Sequence, residues 1–198
     1  MTVAAILAGG QGRRLGGVCK PLLVVDGVTI LDRQLAVLRP RVSEVLLLVA
    51  DLARWQDHDP ILRLVVDEQP GLGPLGGLSS AFSALPPESS LLLVAGDLPY
   101  LTPALIDALL ADDIDDVHDA VVPRPAGRAQ PLCARYGPRV RSVLKQRLEQ
   151  RQLRATALLD DLNVRYLDDA ELTSLNPGGR ALFNINTPAD LDDSRPMR

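Results

Sequence analysis

Cysteine, aromatic residues and lysine are all scarce in this chain, and each shortage excludes something. Only Cys19 and Cys133 are present, far apart, so neither a disulfide framework nor a zinc-ligand spacing can form from them. A reducing cytoplasm is the expected home. Aromatic residues make up 3% of the chain and the net charge is −4, which leaves neither stacking platforms nor a basic footprint. Nucleic acid is therefore not an expected partner. No apolar run approaches the roughly 20 residues that cross a bilayer, so no membrane partner is expected. The N-terminus, Met1-Thr2-Val3-Ala4-Ala5-Ile6-Leu7-Ala8, lacks a basic n-region and soon reaches glycines, unlike a signal peptide. No repeat period, no H-E-x-x-H and no G-x-S-x-G occurs. His58 and His118 lack partner spacing and read as solvated, as does the acidic stretch 112–116, while Trp55 reads as a half-buried loop residue. Of 21 basic residues only Lys20 and Lys145 are lysines, which gives the position of Lys20 weight.

What is present points to one α/β domain spanning residues 1–198. That length, at 46% hydrophobic residues, can bury a sizeable core. Short β-rich runs at 3–8, 45–49, 62–66, 91–95, 120–123, 132–136 and 181–185 read as strands. Helical spacing or helix-start signals mark 30–38, 75–85, 103–110 and 140–150, with Thr102-Pro103 and Thr187-Pro188 as helix starts. Strands alternating with helices predict a mainly parallel sheet, which binds ligands at the carboxyl ends of its strands. Segments 9–20, 67–77 and 96–100 fall at such ends, and 184–187 follows the last run.

Gly9, Gly10, Gly12, Gly16 and Gly17 crowd the connection after the first strand, where glycine lets backbone N–H groups approach an anion closely. Arg13, Arg14 and Lys20 make segment 9–20 positive within an acidic chain, an environment suited to a triphosphate. The segment is neither a Walker A loop, since Pro21 follows Lys20, nor G-x-G-x-x-G, since Leu15 occupies the third glycine position. Asp97, in Val94-Ala95-Gly96-Asp97-Leu98-Pro99, sits just beyond a hydrophobic strand. Magnesium is commonly held by one or two carboxylates together with phosphate oxygens and water, and Asp97 suits that role; a turn aspartate before Pro99 is the plainer reading. Asp67 ends another strand, where it either caps the next turn or contacts a nucleotide.

Leu7-Ala8-Gly9-Gly10, Arg14-Leu15-Gly16 and Lys20 together resemble the signature of the nucleotidyltransferases that activate sugars, polyols and pterins. Three further segments resemble the molybdenum cofactor guanylyltransferases in particular: Gly73-Pro74-Leu75-Gly76-Gly77, Gln130-Pro131-Leu132-Cys133-Ala134-Arg135-Tyr136, and Asn184-Ile185-Asn186-Thr187-Pro188-Ala189-Asp190-Leu191. The resemblance runs over residues 3–191. It implies a three-layer, Rossmann-like nucleotidyltransferase fold and transfer of GMP from GTP to a molybdopterin cofactor bearing molybdenum, with release of pyrophosphate. It further implies that Leu7, Ala8, Gly9, Gly10, Gly12, Lys20, Asp67 and Asp97 bind GTP, and that Arg14, Lys20 and Asp97 carry catalysis. Asp97 would hold Mg²⁺, while Gly76, Gly77, Asn184 and Asn186 would meet the acceptor, and Arg154 would lie in an acceptor-facing segment. Transient contact with other cofactor-biosynthesis proteins is also implied. The chain departs from the family pattern at three places. Val49-Ala50-Asp51 lacks an asparagine that some relatives place near the base, Cys19 stands where several have aspartate, and Gly96 replaces a cysteine or similar residue, a small change on the face of it. A cytidylyltransferase for the same cofactor, or another small-molecule phosphate nucleotidylyltransferase, stays open beside this reading. A non-catalytic nucleotide-binding regulator is the alternative of another class, and the intact Arg14, Lys20 and Asp97 argue against it.

Overall fold

The computed structural model describes residues 2–9, 18–55, 62–67, 71–111, 117–175, 179–187 and 189–190. The first strand, β1 (Thr2–Leu7), leads through a short hairpin, β2 (Val24–Val25) and β3 (Val28–Thr29), into α1 (Ile30–Leu38). Thr29 begins this helix because its Oγ1 accepts from the Asp32 N–H at 3.0 Å. Next come β4 (Val45–Val49), β5 (Arg63–Val66), α2 (Gly73–Ser83), β6 (Ser90–Ala95) and α3 (Pro103–Ala111). The Thr102-Pro103 start behaves as read, with Thr102 Oγ1 accepting from the Leu105 N–H at 3.2 Å. The remainder is β7 (Ala120–Pro123), β8 (Cys133–Tyr136), α4 (Val140–Glu149), α5 (Ala155–Leu158), β9 (Val164–Leu167) and α6 (Asp169–Leu175).

The main sheet has the order β5-β4-β1-β6-β8-β7-β9. Strands β5, β4, β1 and β6 run parallel; β8 is antiparallel to both β6 and β7, and β9 pairs parallel with β7. Side chains alternate between the two faces, as the two-residue strand period requires. Ala4, Ile6, Leu47, Leu92 and Val94 point to one side and pack with Leu31, Leu35, Leu105, Ile106, Leu109 and Leu172 of α1, α3 and α6. Ala5, Leu46, Leu48, Leu91 and Leu93 point to the other and meet Leu75, Leu78, Phe82, Val140, Leu144 and Leu158 of α2, α4 and α5. The result is a three-layer α/β architecture with a mixed, mostly parallel sheet. From β1 the chain moves outward through β4 to β5, then returns to place β6 on the other side of β1. The strand ends at β1 and β6 therefore form a topological switch point, where open α/β sheets keep their ligand crevice.

Two readings of the sequence need correction. Residues 181–185 do not form a strand: the Phe183 N–H turns back to Arg180 O at 2.9 Å, and the Ile185 N–H donates to Asp97 O at 3.0 Å. The apolar character of this run serves a small side cluster instead, in which Ile185 is buried against Val25 and Ile30. Trp55 ends a short 3-10 turn and is only 3% exposed, built into the core rather than half-buried. The hairpin β2–β3, the strand β9 and the helices α5 and α6 went unread. The acidic stretch 112–116 and His58 lie outside the described residues, as does all but the 189–190 turn of the final helix.

Candidate active site

A cavity of about 510 Å³ opens at the switch point. Leu7, Ala8 and Gly9 leave β1 along its floor, Leu48, Val49 and Ala50 come from β4, Asp67 from β5, and Ala95, Gly96 and Asp97 from β6. Gly71, Gly73, Pro74 and Gly77 of the α2 start, with Lys20, Pro21 and Leu132, close the remaining sides. Among the described residues no side chain caps the N-terminus of α2, which borders this cavity, so the helix adds the positive end of its dipole to the wall. Gly73 enters that helix with φ 61°, a left-handed conformation that glycine adopts without strain.

Lys20 is the hub of the polar rim. It lies at the start of a 3-10 turn, Lys20–Leu22, and its Nζ donates to Asp97 Oδ2 at 2.8 Å and to Asn186 Oδ1 at 2.6 Å. The ion pair is partly shielded, with side-chain exposures of 22% and 14%. One cation thus ties together the segment after β1, the turn after β6 and the Asn184–Thr187 region, which lie 77 and 166 positions away along the chain. The last of these regions is itself fixed by Asp190, whose Oδ2 accepts from the backbone N–H groups of Asn186 and Thr187 at 2.8 and 2.7 Å. These two backbone donors, with smaller help from Thr187 Oγ1 and Lys20, hold the Asp190 carboxyl below the usual aspartate range.

The Asp97 turn is held from several sides. The Gly96 N–H donates to Leu7 O at 3.1 Å, Ile185 supplies the bond to Asp97 O, and Gln34 of α1 reaches the turn from beneath. Gly96 is not a neutral replacement for a larger residue. A Cβ at this position would stand 2.5 Å from Leu7 O and 2.6 Å from Pro21 Cγ, so the close fit of the turn against β1 requires the missing side chain. Asp97 Oδ1 is buried and accepts no hydrogen bond among the described residues, and Asn184 Oδ1 is in the same condition. A buried acceptor without a donor is costly unless something fills it, and a cation is one solution. No group of three or more His, Cys, Asp or Glu side chains suited to a metal occurs among the described residues. A single carboxylate beside a cavity fits magnesium, which keeps waters and substrate phosphates as its other ligands.

The structure brings Leu7, Ala8, Gly9, Lys20, Asp67, Gly77 and Asp97 to one cavity, with Asn186 joined through Lys20. Gly76 is buried inside α2. Arg154 stands exposed at the start of α5 and is not brought to the cavity. Gly10, Gly12 and Arg14 lie outside the described residues. Asp67 receives a hydrogen bond from Ser80 Oγ of α2 at 3.3 Å, so its carboxylate is oriented by a helix residue that the sequence did not mark. At Cys19, burial raises the thiol pKa, so the residue is neutral and places no negative charge beside Lys20.

This is the architecture of a nucleotidyltransferase. Residues 4–165 match the MobA-like NTP transferase domain, and the chain belongs to that family. It is 35% identical to a probable molybdenum cofactor guanylyltransferase of Chloroflexus aggregans, over 96% of this chain and 92% of the relative. A probable molybdenum cofactor guanylyltransferase of Methanosarcina mazei is 32% identical over 96% of this chain and 88% of its own. Among solved structures, molybdopterin-guanine dinucleotide biosynthesis protein A from Archaeoglobus fulgidus superposes with a TM-score of 0.81 at 25% identity, covering 98% of this chain and 97% of that one. No helix among the described residues is long and apolar enough to cross a membrane.

Proposed function

We propose that this chain transfers GMP from GTP to the molybdenum-bearing molybdopterin cofactor, forming its guanine dinucleotide and releasing pyrophosphate. In this reaction a phosphate oxygen of the acceptor forms a bond to the α-phosphorus of GTP. The bond from that phosphorus to the bridging oxygen breaks, and pyrophosphate leaves with the electron pair. The observation that carries the reading is the Lys20 hub, which joins the Asp97 turn to the Asn186 segment at the mouth of a cavity large enough for a nucleotide.

Individual residues take roles within this proposal, those of Gly10, Gly12 and Arg14 on the sequence resemblance alone. The backbone at Ala8 and Gly9, together with Gly10 and Gly12, would cradle the triphosphate. Lys20, with Arg14, would offset the charge that grows on the leaving pyrophosphate. Asp97, whose Oδ1 accepts no hydrogen bond among the described residues, would hold Mg²⁺. A divalent ion there supplies Lewis-acid polarisation of the phosphate oxygens. Asp67, oriented by Ser80, would contact the nucleoside, and Asn184 and Asn186 would meet the acceptor, with Gly77 thinning the α2 wall and Gly76 buried behind it. Seven strands share one sheet with helices on its two faces, and the β2–β3 hairpin joins α1 through the cluster of Val25, Ile30 and Ile185, which supports a single domain across residues 1–198.

The deciding experiment is pyrophosphate release with Mg²⁺ and molybdenum cofactor in the presence of GTP, CTP or ATP, each alone. Release with GTP is the expected result. Release with CTP only, or with a sugar phosphate as the sole competent acceptor, refutes the assignment.

A further inference from the structure

Gln34 interrupts the apolar stripe of α1. Ile30, Leu31, Leu35 and Leu38 face the core as the helical period requires, and Gln34 lies among them with 0% exposure. A polar side chain in that position needs hydrogen-bonding partners, since burying an unpaired amide is costly. Its Nε2 donates to Ala95 O at 2.8 Å and to Leu98 O at 3.1 Å. Both acceptors are carbonyl oxygens, which leaves the amide only one sensible orientation. The same orientation leaves Gln34 Oε1 buried and without a partner among the described residues. The chain thus tolerates an unsatisfied acceptor in its core in order to hold two carbonyls that bracket Gly96 and Asp97.

We infer that Gln34 is a positioning residue for the metal-binding carboxylate. By fixing Ala95 O and Leu98 O it sets the bend of the turn that aims Asp97 at the cavity. The inference rests on the reading of Asp97 as the magnesium ligand. Neither a hydrocarbon nor a carboxylate can replace the amide: the first offers no donor, and the second sets a negative charge against two carbonyl oxygens. The Gly96 N–H and Asp97 O are tied to Leu7 and Ile185 independently, so loss of Gln34 loosens the turn without releasing it from the sheet.

The test is Mn²⁺ binding to the full-length protein loaded with GTP, followed by electron paramagnetic resonance, alongside GTP binding in EDTA. Gln34→Leu and Gln34→Glu are compared with wild type and with Asp97→Asn. Should the glutamate variant, which buries a carboxyl group against two carbonyl oxygens, fail to fold, the apolar leucine variant carries the measurement. Both Gln34 variants are expected to weaken Mn²⁺ binding about tenfold, the scale of one or two lost hydrogen bonds, while metal-free GTP binding stays within about twofold. If Asp97→Asn loses Mn²⁺ and the Gln34 variants retain wild-type affinity for it, the inference is overturned and the reading of Asp97 stands. Equal losses of Mn²⁺ and of metal-free GTP overturn it as well, because they reveal general loosening of the core. If Asp97→Asn binds Mn²⁺ normally, the metal-ligand reading is wrong and the inference goes with it.

Discussion

Gly96→Ala adds a single methyl group and tests how tightly the Asp97 turn is seated. The new Cβ would lie 2.5 Å from Leu7 O and 2.6 Å from Pro21 Cγ, whereas ordinary contact begins at 3.4 Å. Roughly 0.9 Å must therefore open between the turn and β1, measured against that ordinary contact. One atom in the way is a main-chain oxygen in a six-residue strand paired on both sides, so β1 cannot move aside alone. Overpacking of this kind costs about 1–3 kcal/mol, which for a chain of this size lowers Tm by several degrees. The catalytic effect should be larger than the effect on stability, since a displacement near 1 Å in a reacting constellation costs about a hundredfold in rate. Pyrophosphate release and thermal melting measured on the same preparation separate the two. Gly77→Ala is the matched control. Its Cβ would stand 2.7 Å from Leu7 Cδ2, the far end of a flexible side chain that can turn away, so its melting temperature should stay closer to wild type. Wild-type turnover and melting in Gly96→Ala would refute the argument that an absent side chain seats the turn.

Three further outcomes are expected. Asp97→Ala should lower kcat/KM by at least about a hundredfold while leaving the fold intact, and a near-normal rate would remove Asp97 from the mechanism. The Asp190 carboxyl titrates lower in the folded chain than in the unfolded one, so its contribution to stability is complete above about pH 3.9 and fades as pH falls through the depressed folded value. The Tm gap between wild type and Asp190→Asn should accordingly be widest near neutrality and close on acidification; a gap that widens in acid contradicts the assignment. Burial pushes the Cys133 thiol up to about 12, which suppresses its thiolate at ordinary pH. A disulfide reagent at pH 8 should leave Cys133 unmodified in the native protein and reach both cysteines after denaturation, and rapid native labelling of both would show that Cys133 is not sealed in the core.

The sheet that builds the site was legible because its central strands are covered on both faces and read as unbroken aliphatic runs, as in Val45–Val49 and Leu91–Ala95. The strand β9 escaped because its burial is incomplete: Val-Arg-Tyr-Leu lies at an edge of the sheet with three of its four residues half-buried, where a charged residue is no penalty. Residues 181–185 misled for the opposite reason. Their apolar composition mimics a strand, but their backbone groups bond to a turn and to Asp97 rather than to a ladder. Within the site, Asp97 and Lys20 stood out by their place after strand ends. The link from Lys20 to Asn186 depends on a 166-residue separation that no local pattern records. Gln34 did leave a trace, a polar residue on the apolar stripe of α1, but its purpose becomes visible only once β6 lies above it.

Leu7 is touched from two sides by positions that lack a side chain: Gly77 abuts its methyl group and Gly96 abuts its carbonyl. Those two neighbours impose different evolutionary freedoms. Position 77 can covary with position 7, because a shorter residue in place of leucine removes the atom in the way and opens room for alanine. Position 96 has no such compensating partner in β1, because every amino acid at position 7 brings the same backbone oxygen. Among lineages that keep this strand and turn, glycine at 77 should come and go with the size of its neighbour, while at 96 a side chain can return only together with a shift of the main chain.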